Sequence, residues 1–186
     1  MRLIGVLLIL LCFLSCTDKK KVKDEIMQLQ SYPIRLSFDK MQCMWNGEDT
    51  TVSKKVYEPP LKLVVYSDTS ACSSCKLKTM HLWDEFIKEL QPYSKNASLL
   101  FIFSPAKKDL DRFYLSMKTM APLLPMYVDT IGIFAHDNPH VPQNAIYHTF
   151  LLDENNHVIL VGDPSRNERI EELFWKIVKE RLGERH

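Results

Sequence analysis

Residues 61–80 read LKLVVYSDTSACSSCKLKTM and decide the fold. The opening LKLVVY, apolar apart from Lys62, is a compact signal of a buried strand. The polar SDTSA that follows is typical of a turn and a helix N-cap. Apolar residues then recur at spacings of three and four, which predicts an amphipathic helix carrying Leu77, Met80, Trp83, Phe86, Ile87 and Leu90. Two cysteines, Cys72 and Cys75, therefore lie where a buried strand gives way to a helix.

The rest of the chain alternates strands with helices. Strands are predicted at 33–38, 98–103, 126–129, 146–152 and 157–161, the last two joined by the turn-forming DENN. Ser104-Pro105 predicts the start of one helix and a capping box at Ser165–Glu168 that of another. Residues 46–60 and 131–145 read as loops. This order predicts an α/β domain whose central mixed sheet is covered by helices on both faces.

The spacing of Cys72 and Cys75 favours redox chemistry. Cys72 lies at a predicted helix N-terminus, where unpaired backbone N–H groups and the helix dipole stabilise a thiolate. Two intervening residues, Ser73 and Ser74, bring the sulfurs within reach of a disulfide. Lys76 and Lys78 add positive charge, which as exposed side chains would be screened. A structural disulfide or a pair of reduced core thiols are the alternatives.

The predicted order of elements resembles the thioredoxin-like fold. In that order, a strand, the CxxC motif and a helix come first, and a strand, a helix, a strand, a hairpin and a helix follow. A closer resemblance is to the membrane-tethered thiol-disulfide oxidoreductases of the TlpA and ResA type, on the N-terminal anchor and the hairpin strand Thr149-Phe150-Leu151-Leu152-Asp153. The resemblance implies that Cys72 attacks a substrate disulfide and Cys75 resolves the mixed disulfide. It implies no cofactor. Its substrates would be exported proteins that carry thiols or disulfides.

Three positions depart from that family's pattern. Ala71 replaces an aromatic residue before the first cysteine, and Lys78 replaces an acid three residues after the second. The proline that faces the dithiol is replaced by Tyr147 or His148, so we expect a trans peptide there, because a cis bond before a residue other than proline costs about 3 kcal/mol. His148 would then face the dithiol, where it would donate to the Cys72 thiolate or complete a Cys2His zinc or copper site.

The first fifteen residues are predicted to be a signal peptide. Arg2 precedes twelve apolar or glycine residues, 3–14, which is the length of an h-region and too short to span a bilayer. The run ends at Phe13-Leu14-Ser15-Cys16, which resembles a bacterial lipobox with Cys16 as the lipidated residue. An ordinary secretory signal is the alternative. Residues 16–30 are charged and are interpreted as a tether, and residues 31–186 as the thioredoxin-like domain.

Composition narrows the function further. The chain of 186 residues has a formal net charge of +1, which argues against nucleic-acid binding, since that affinity depends on clustered surplus cations.

Cys43 is predicted to be a buried small residue, with a third redox thiol as the alternative. Thr69 and Cys72 match the Thr-x-x-Cys of peroxiredoxins, but Val65 stands where that motif has proline. The remaining rivals are a non-catalytic binding or assembly module and a metal-binding protein.

The sequence thus predicts a thiol-disulfide oxidoreductase in the cell envelope. A lipid on Cys16 would anchor it to the membrane, with the domain facing the periplasm. This expectation rests on the cysteine pattern and on the N-terminal residues together, because disulfides persist outside the cytoplasm.

Overall fold

The structure is a computed structural model, which describes residues 19–45, 48–50, 59–70, 72–120 and 122–183. In this part of the chain, the strands are β1 Gln42–Trp45, β2 Glu48–Asp49, β3 Leu61–Ser67, β4 Ala97–Phe103, β5 Met126–Val128, β6 Thr149–Leu152 and β7 Val158–Val161. The α-helices are α1 at 19–29, α2 Ser73–Lys78, α3 Asp84–Leu90, α4 Leu110–Met120, α5 Ile133–Asp137 and α6 Glu168–Leu182. A 3₁₀ turn, Met80–Trp83, joins α2 to α3.

The seven strands form one mixed sheet in the order β2-β1-β5-β4-β3-β6-β7. β3 lies near the centre, parallel to β4 and antiparallel to β6. β5 continues the sheet parallel to β4, and β6 and β7 form the predicted antiparallel hairpin. The link from β3 through α2 and α3 to the parallel β4 is a crossover of the kind that parallel strands require. This strand order confirms the predicted thioredoxin-like α/β fold.

Helices cover both faces of the sheet because consecutive side chains of a strand point to opposite sides. On β3, Leu63 and Val65 belong to a core cluster that includes residues of α2, α3, α4 and α6. Val64 and Tyr66 belong to a second cluster on the other face, together with residues of α1 and α5. All seven residues of β3 are buried, as predicted for this strand, and they include Lys62, whose Nζ donates to the Pro59 carbonyl at 3.0 Å.

The interpretation of residues 16–30 as a solvated tether is wrong for the part of it that the structure describes. Residues 19–29 form α1, and Leu29 is fully buried in the second core cluster, with Ile26 packed against that cluster. The Gln30 side-chain amide donates to the Val158 carbonyl at 3.0 Å and fastens the end of the helix to β7. Ile26 and Leu29 are three residues apart, so they lie on one face of a helix that is otherwise mostly charged.

Several other boundaries also differ from the sequence predictions. The segment predicted as a strand at 33–38 pairs with loops instead: the Ile34 N–H donates to the Asn156 carbonyl, and the Arg35 N–H to Asn138 Oδ1. The predicted loop at 131–145 contains α5. α6 begins two residues later than the capping box suggested, because Asn167 is its N-cap while Ser165 bonds to Asp163.

Candidate active site: the Cys72–Cys75 disulfide

A disulfide joins Cys72 and Cys75 at the junction that follows β3. Their Cα atoms are 5.1 Å apart, within the usual range for a bridged pair. Cys72 is the N-cap of α2, with extended backbone, and its Sγ accepts the Cys75 N–H at 3.3 Å. The same N–H also points at the Cys72 carbonyl, 2.9 Å away. The fold thus places one sulfur where a backbone donor can stabilise negative charge. Ala71 lies outside the described residues.

The two faces of α2 differ sharply in exposure. Cys72 and Cys75 are exposed, whereas the serines between them are 6% and 8% exposed and Leu77 is fully buried. Within the described residues, the Ser73 hydroxyl has no hydrogen-bond partner. The core side of α2 is therefore formed by the residues that separate the cysteines, and the disulfide itself lies on the solvent side.

Lys76 is not the exposed cation that the sequence suggested. Its side chain is half-buried, and its Nζ donates to the Tyr66 carbonyl at 3.4 Å. Burial lowers the pKa of Lys76, while the charges of Asp68 and Asp163 act in the opposite direction. Lys78, by contrast, is exposed as predicted. Only the second of these lysines therefore presents its charge beside Cys75 to solvent.

A cleft of about 830 Å³ has Lys76, one helical turn beyond Cys72, among its lining residues. We call it the α2 cleft. Its apolar wall comes from β3, β4, the turn between α2 and α3, and α6, and its polar residues include one cation on α2 and an ion pair before α6. The residues that matter here are Val65, Phe103, Trp83, Ile170, Ser67, Lys76, Asp163 and Arg166. The Ser67 hydroxyl is buried without a hydrogen-bond partner in the described structure.

His148, one of the two residues expected at the family's proline position, lies directly before β6, but it does not hydrogen-bond to the cysteines. Its Nε2 is 2.8 Å from the Pro142 carbonyl, and its Nδ1 has no hydrogen-bond partner among the described residues. The ring packs on that of Tyr66, with centroids 5.0 Å apart. Burial lowers the pKa of His148, so the neutral ring is favoured. The predicted donation from His148 to Cys72 is therefore absent.

Tyr147 is 4% exposed and belongs to the second core cluster. Burial raises the pKa of its hydroxyl. No peptide bond in the described part of the chain is cis, which confirms the trans peptide expected from the missing proline. Two buried aromatic residues, Tyr147 and His148, therefore precede β6 at the place where the family's pattern has a proline.

The Cys2His metal site proposed from the sequence is not formed. Across the described residues, no group of three or more His, Cys, Asp or Glu side chains is placed to hold a metal ion. Both cysteine ligands of that hypothesis are instead joined to each other. His148 Nε2 instead contacts the Pro142 carbonyl.

Besides Cys72 and Cys75, the described residues include one further cysteine. Cys43, on β1, is a free thiol and is partly exposed, so the prediction that it would be buried is wrong. Its Sγ is 3.7 Å from the Thr50 hydroxyl. Cys16 and the predicted signal peptide lie outside the described residues. In the described part of the chain, no helix is both long and apolar enough to cross a membrane.

Two features of the site were not predicted from the sequence. The burial of Lys76 and the orphan hydroxyl of Ser67 depend on how α2 and α6 close over the end of β3. One signal was available: Ser67 ends a strand that is apolar apart from Lys62, and serine is mostly exposed in folded proteins, so a buried serine there is unusual. Nothing in the sequence places Lys76 on the inner side of the helix.

Comparison with known proteins gave structural matches only. No family model matches the chain, and no curated protein matches it. A domain of a possible thiol-disulfide isomerase from Cytophaga hutchinsonii is 15% identical, with a TM-score of 0.44 over 75% of this chain and 91% of that one. An uncharacterized thioredoxin-like protein from Porphyromonas gingivalis is 11% identical, with a TM-score of 0.46 over 78% of this chain and 94% of that one.

The features that carry the assignment are on the chain itself. They are the parallel β3–β4 pair, the antiparallel β6–β7 hairpin beside β3, and an exposed CxxC disulfide at the start of the helix that follows β3. By this strand order and this disulfide, the chain has the thioredoxin-like α/β fold with a CxxC pair, Cys72 and Cys75.

Proposed function

We propose that this protein exchanges dithiol for disulfide with exported proteins, as a reductase or isomerase. The observation that carries the proposal is the exposed disulfide at the N-cap of α2, where the Cys75 N–H donates to Cys72 Sγ. That donor stabilises the Cys72 thiolate once the pair is reduced, which raises the fraction of thiolate at neutral pH. A thiol buried without such a donor would be inert.

In this mechanism, the Cys72 thiolate attacks one sulfur of a substrate disulfide, and the other substrate sulfur leaves as a thiolate. The Cys75 thiol loses its proton to solvent and attacks Cys72 Sγ in the mixed disulfide. The second substrate sulfur then leaves as a thiolate, and the Cys72–Cys75 disulfide is restored. Two electrons have passed from the protein to the substrate.

The substrate chain would lie beside α2. The α2 cleft offers an apolar wall together with the Ser67 hydroxyl, the features that bind an extended polypeptide carrying apolar side chains. With a formal net charge of only +1, bulk charge would contribute little to the choice of partner, so the surface around the disulfide carries the recognition.

The location that fits this activity is the cell envelope. We propose that residues 1–15 are removed, that Cys16 is lipidated, and that the domain faces the periplasm from its membrane anchor. The apolar run at 3–14 and the Leu14-Ser15-Cys16 junction support this proposal. Mass spectrometry of the protein from a bacterial host, with Cys16→Ser as the control, tests it: a diacylglyceryl mass on the wild type alone is the expected result.

An insulin-reduction assay tests the activity. We expect the wild type, with a dithiol present, to accelerate insulin reduction and the Cys72→Ser variant to lose that acceleration. The reduction potential of the pair gives a second measure. A value of about −120 to −270 mV is that of an exchange catalyst. A value below about −300 mV, with no insulin reduction, would instead identify a static bond in a non-catalytic binding module.

A further inference from the structure

The described part of α1 begins with a group of exposed lysines, which we call the α1 lysine cluster. Two acids lie beside them, Asp24, which is exposed, and Glu25, which is half-buried. Four lysines against two acids leave a surplus of two positive charges on this stretch of the helix. The members of the cluster are Lys19, Lys20, Lys21 and Lys23.

The cluster belongs to the folded domain because α1 is docked on the sheet. Leu29 lies in the second core cluster, and Ile26 packs against it. Val22, four residues before Ile26, shares that helix face but is 44% exposed, and it lines the α2 cleft together with Lys76, the residue after Cys75. Lysines on a free tether could bind a surface without orienting the domain. Lysines on α1 move with the cleft, so their binding would orient it.

We propose that the α1 lysine cluster binds an anionic phospholipid surface and holds the rim of the α2 cleft against it. The inference rests on the proposed exchange function and its membrane anchor, and it names a substrate class. The substrates are polypeptides whose cysteines lie at the surface of the bilayer.

Charge complementarity supports an anionic bilayer as the partner. A lysine close to such a surface contributes about 1 kcal/mol, which is about a five-fold change in binding. A surplus of two charges is weak alone, and stable attachment takes a second signal such as a lipid. The proposed anchor supplies it: Cys16 is three residues before Lys19, and a chain spans at most about 3.6 Å per residue, so Lys19 would lie within about 11 Å of the anchored residue.

Exposed apolar side chains lie beside the lysines. Val22 lies within the cluster, and Ile146, which is 64% exposed, lines the α2 cleft with it. Surfaces that bind the membrane interface combine cations with apolar side chains that enter the headgroup region. An acidic polypeptide would complement the lysines but would gain nothing from the nearby anchor. These features favour the bilayer, and not an acidic polypeptide, as the partner of the cluster.

Lysine modification on vesicles tests the binding. The full chain is reconstituted in vesicles of phosphatidylglycerol and phosphatidylcholine, or of phosphatidylcholine alone. It is then treated briefly with a water-soluble acetylating reagent and mapped by mass spectrometry. We expect Lys20 and Lys23 to react about five-fold or more slowly on the anionic vesicles. Salt at about 1 M should remove this protection, because it shortens the Debye length to about 3 Å.

Lys95 and Lys179 are matched controls, since both are exposed and lie near the other end of the sheet. Lys95 precedes β4, which runs parallel to β3, whereas the disulfide follows β3. Lys179 is in the last turn of α6, which ends where the Tyr93 hydroxyl lies 3.5 Å from the Gly183 carbonyl. Both controls should react at one rate on the two kinds of vesicle. Equal rates for the cluster lysines on both, or equal protection of the controls, would overturn the proposal.

Two double variants test the consequence for exchange. Lys20→Gln/Lys23→Gln weakens the cluster, and Lys95→Gln/Lys179→Gln removes two charges elsewhere. Each protein, in its reduced form, is given a disulfide dye attached to phosphatidylethanolamine in the anionic vesicles or, without vesicles, insulin. We expect the cluster variant to reduce the lipid-linked disulfide about five-fold or more slowly than the wild type and to reduce insulin at the same rate. The control variant should match the wild type on both substrates.

The outcomes separate this proposal from the exchange function. Slower reduction of both substrates by the cluster variant would mean that the lysines act on exchange or on the substrate chain, and would overturn the proposal. An unchanged rate on the lipid-linked disulfide would also overturn it. If the wild type does not reduce insulin, the exchange function is refuted instead, and lysine modification still reports on binding to the bilayer.

Discussion

Replacing Leu29 by alanine tests whether α1 is part of the folded domain. Leu29 is 0% exposed and lies in the second core cluster, whereas Met27, two residues earlier on the same helix, is 57% exposed. A solvated tether would tolerate both substitutions equally. A docked helix predicts that Leu29→Ala is costly and that Met27→Ala is nearly silent.

The magnitude follows from what is removed. Three carbon groups leave the core, worth about 2.4 kcal/mol at about 0.8 kcal/mol each. The cavity left behind raises the cost to about 3 kcal/mol, inside the range of about 2–5 kcal/mol for buried leucines. For a chain of this size, that lowers the melting temperature by about 6–12 °C. The exposed Met27 should cost no more than about 0.5 kcal/mol.

Urea unfolding followed by tryptophan fluorescence and by circular dichroism measures both variants. Because α1 is near the end of the described chain, it can open by itself before the sheet unfolds. Hydrogen exchange at residues 26–31 should therefore accelerate in Leu29→Ala even where the global transition moves less than expected. Equal unfolding free energies and equal exchange rates for the two variants would refute the docking of α1.

Three further predictions concern residues elsewhere in the domain. Since burial lowers the pKa of His148, the unfolded chain binds its proton first as pH falls below about 6.5, so stability should fall from pH 7 to pH 5. That loss should be smaller in His148→Gln than in the wild type or in the exposed-site control His157→Gln; an unchanged loss in His148→Gln would contradict the sign. Asp129→Ala should lower the free energy of unfolding, measured in urea, by about 3 kcal/mol, because buried Asp129 accepts the Ile133 and Phe134 N–H groups, each at 2.9 Å. The control Asp111→Ala, at an exposed position, should lower it by less than about 1 kcal/mol. Gly162→Ala should lower the melting temperature more than Gly132→Ala. Both glycines have positive φ, but only at Gly162 would a Cβ lie 3.0 Å from the Ile170 side chain. Equal melting temperatures for the two variants would show that the Ile170 side chain moves aside without loss of stability.

The sheet was largely predictable because its strands carry their own signal. LKLVVY and SLLFIF became β3 and β4, and the two apolar runs around DENN became the β6–β7 hairpin. Strands buried on both faces are mostly apolar, and such runs are visible without any knowledge of their partners. The cysteine pair was predictable for the same reason, since its spacing is local.

The short helical segments were harder to predict. α1 is mostly charged, and only Ile26 and Leu29 mark the face that packs on the sheet. α5 begins after Gly132, which has left-handed backbone, and its first N–H groups donate to Asp129, the residue that follows β5. Helices of this length are stabilised by tertiary contacts more than by their own propensity, so the sequence signal is weak.

The sequence by itself determined the succession of strands and helices from β3 to α6 apart from α5, the place of Cys72 and Cys75 between β3 and α2, and the trans peptide before His148. These depend on local spacing and residue type. Only the tertiary structure decided that Ser73 and Ser74 face the core while both cysteines face solvent, that Lys76 is half-buried, and that His148 is held by Pro142. The physical reason is that the rotation of α2 about its axis is set by packing against elements distant in the chain, and a six-residue helix carries too short a pattern to fix that rotation alone.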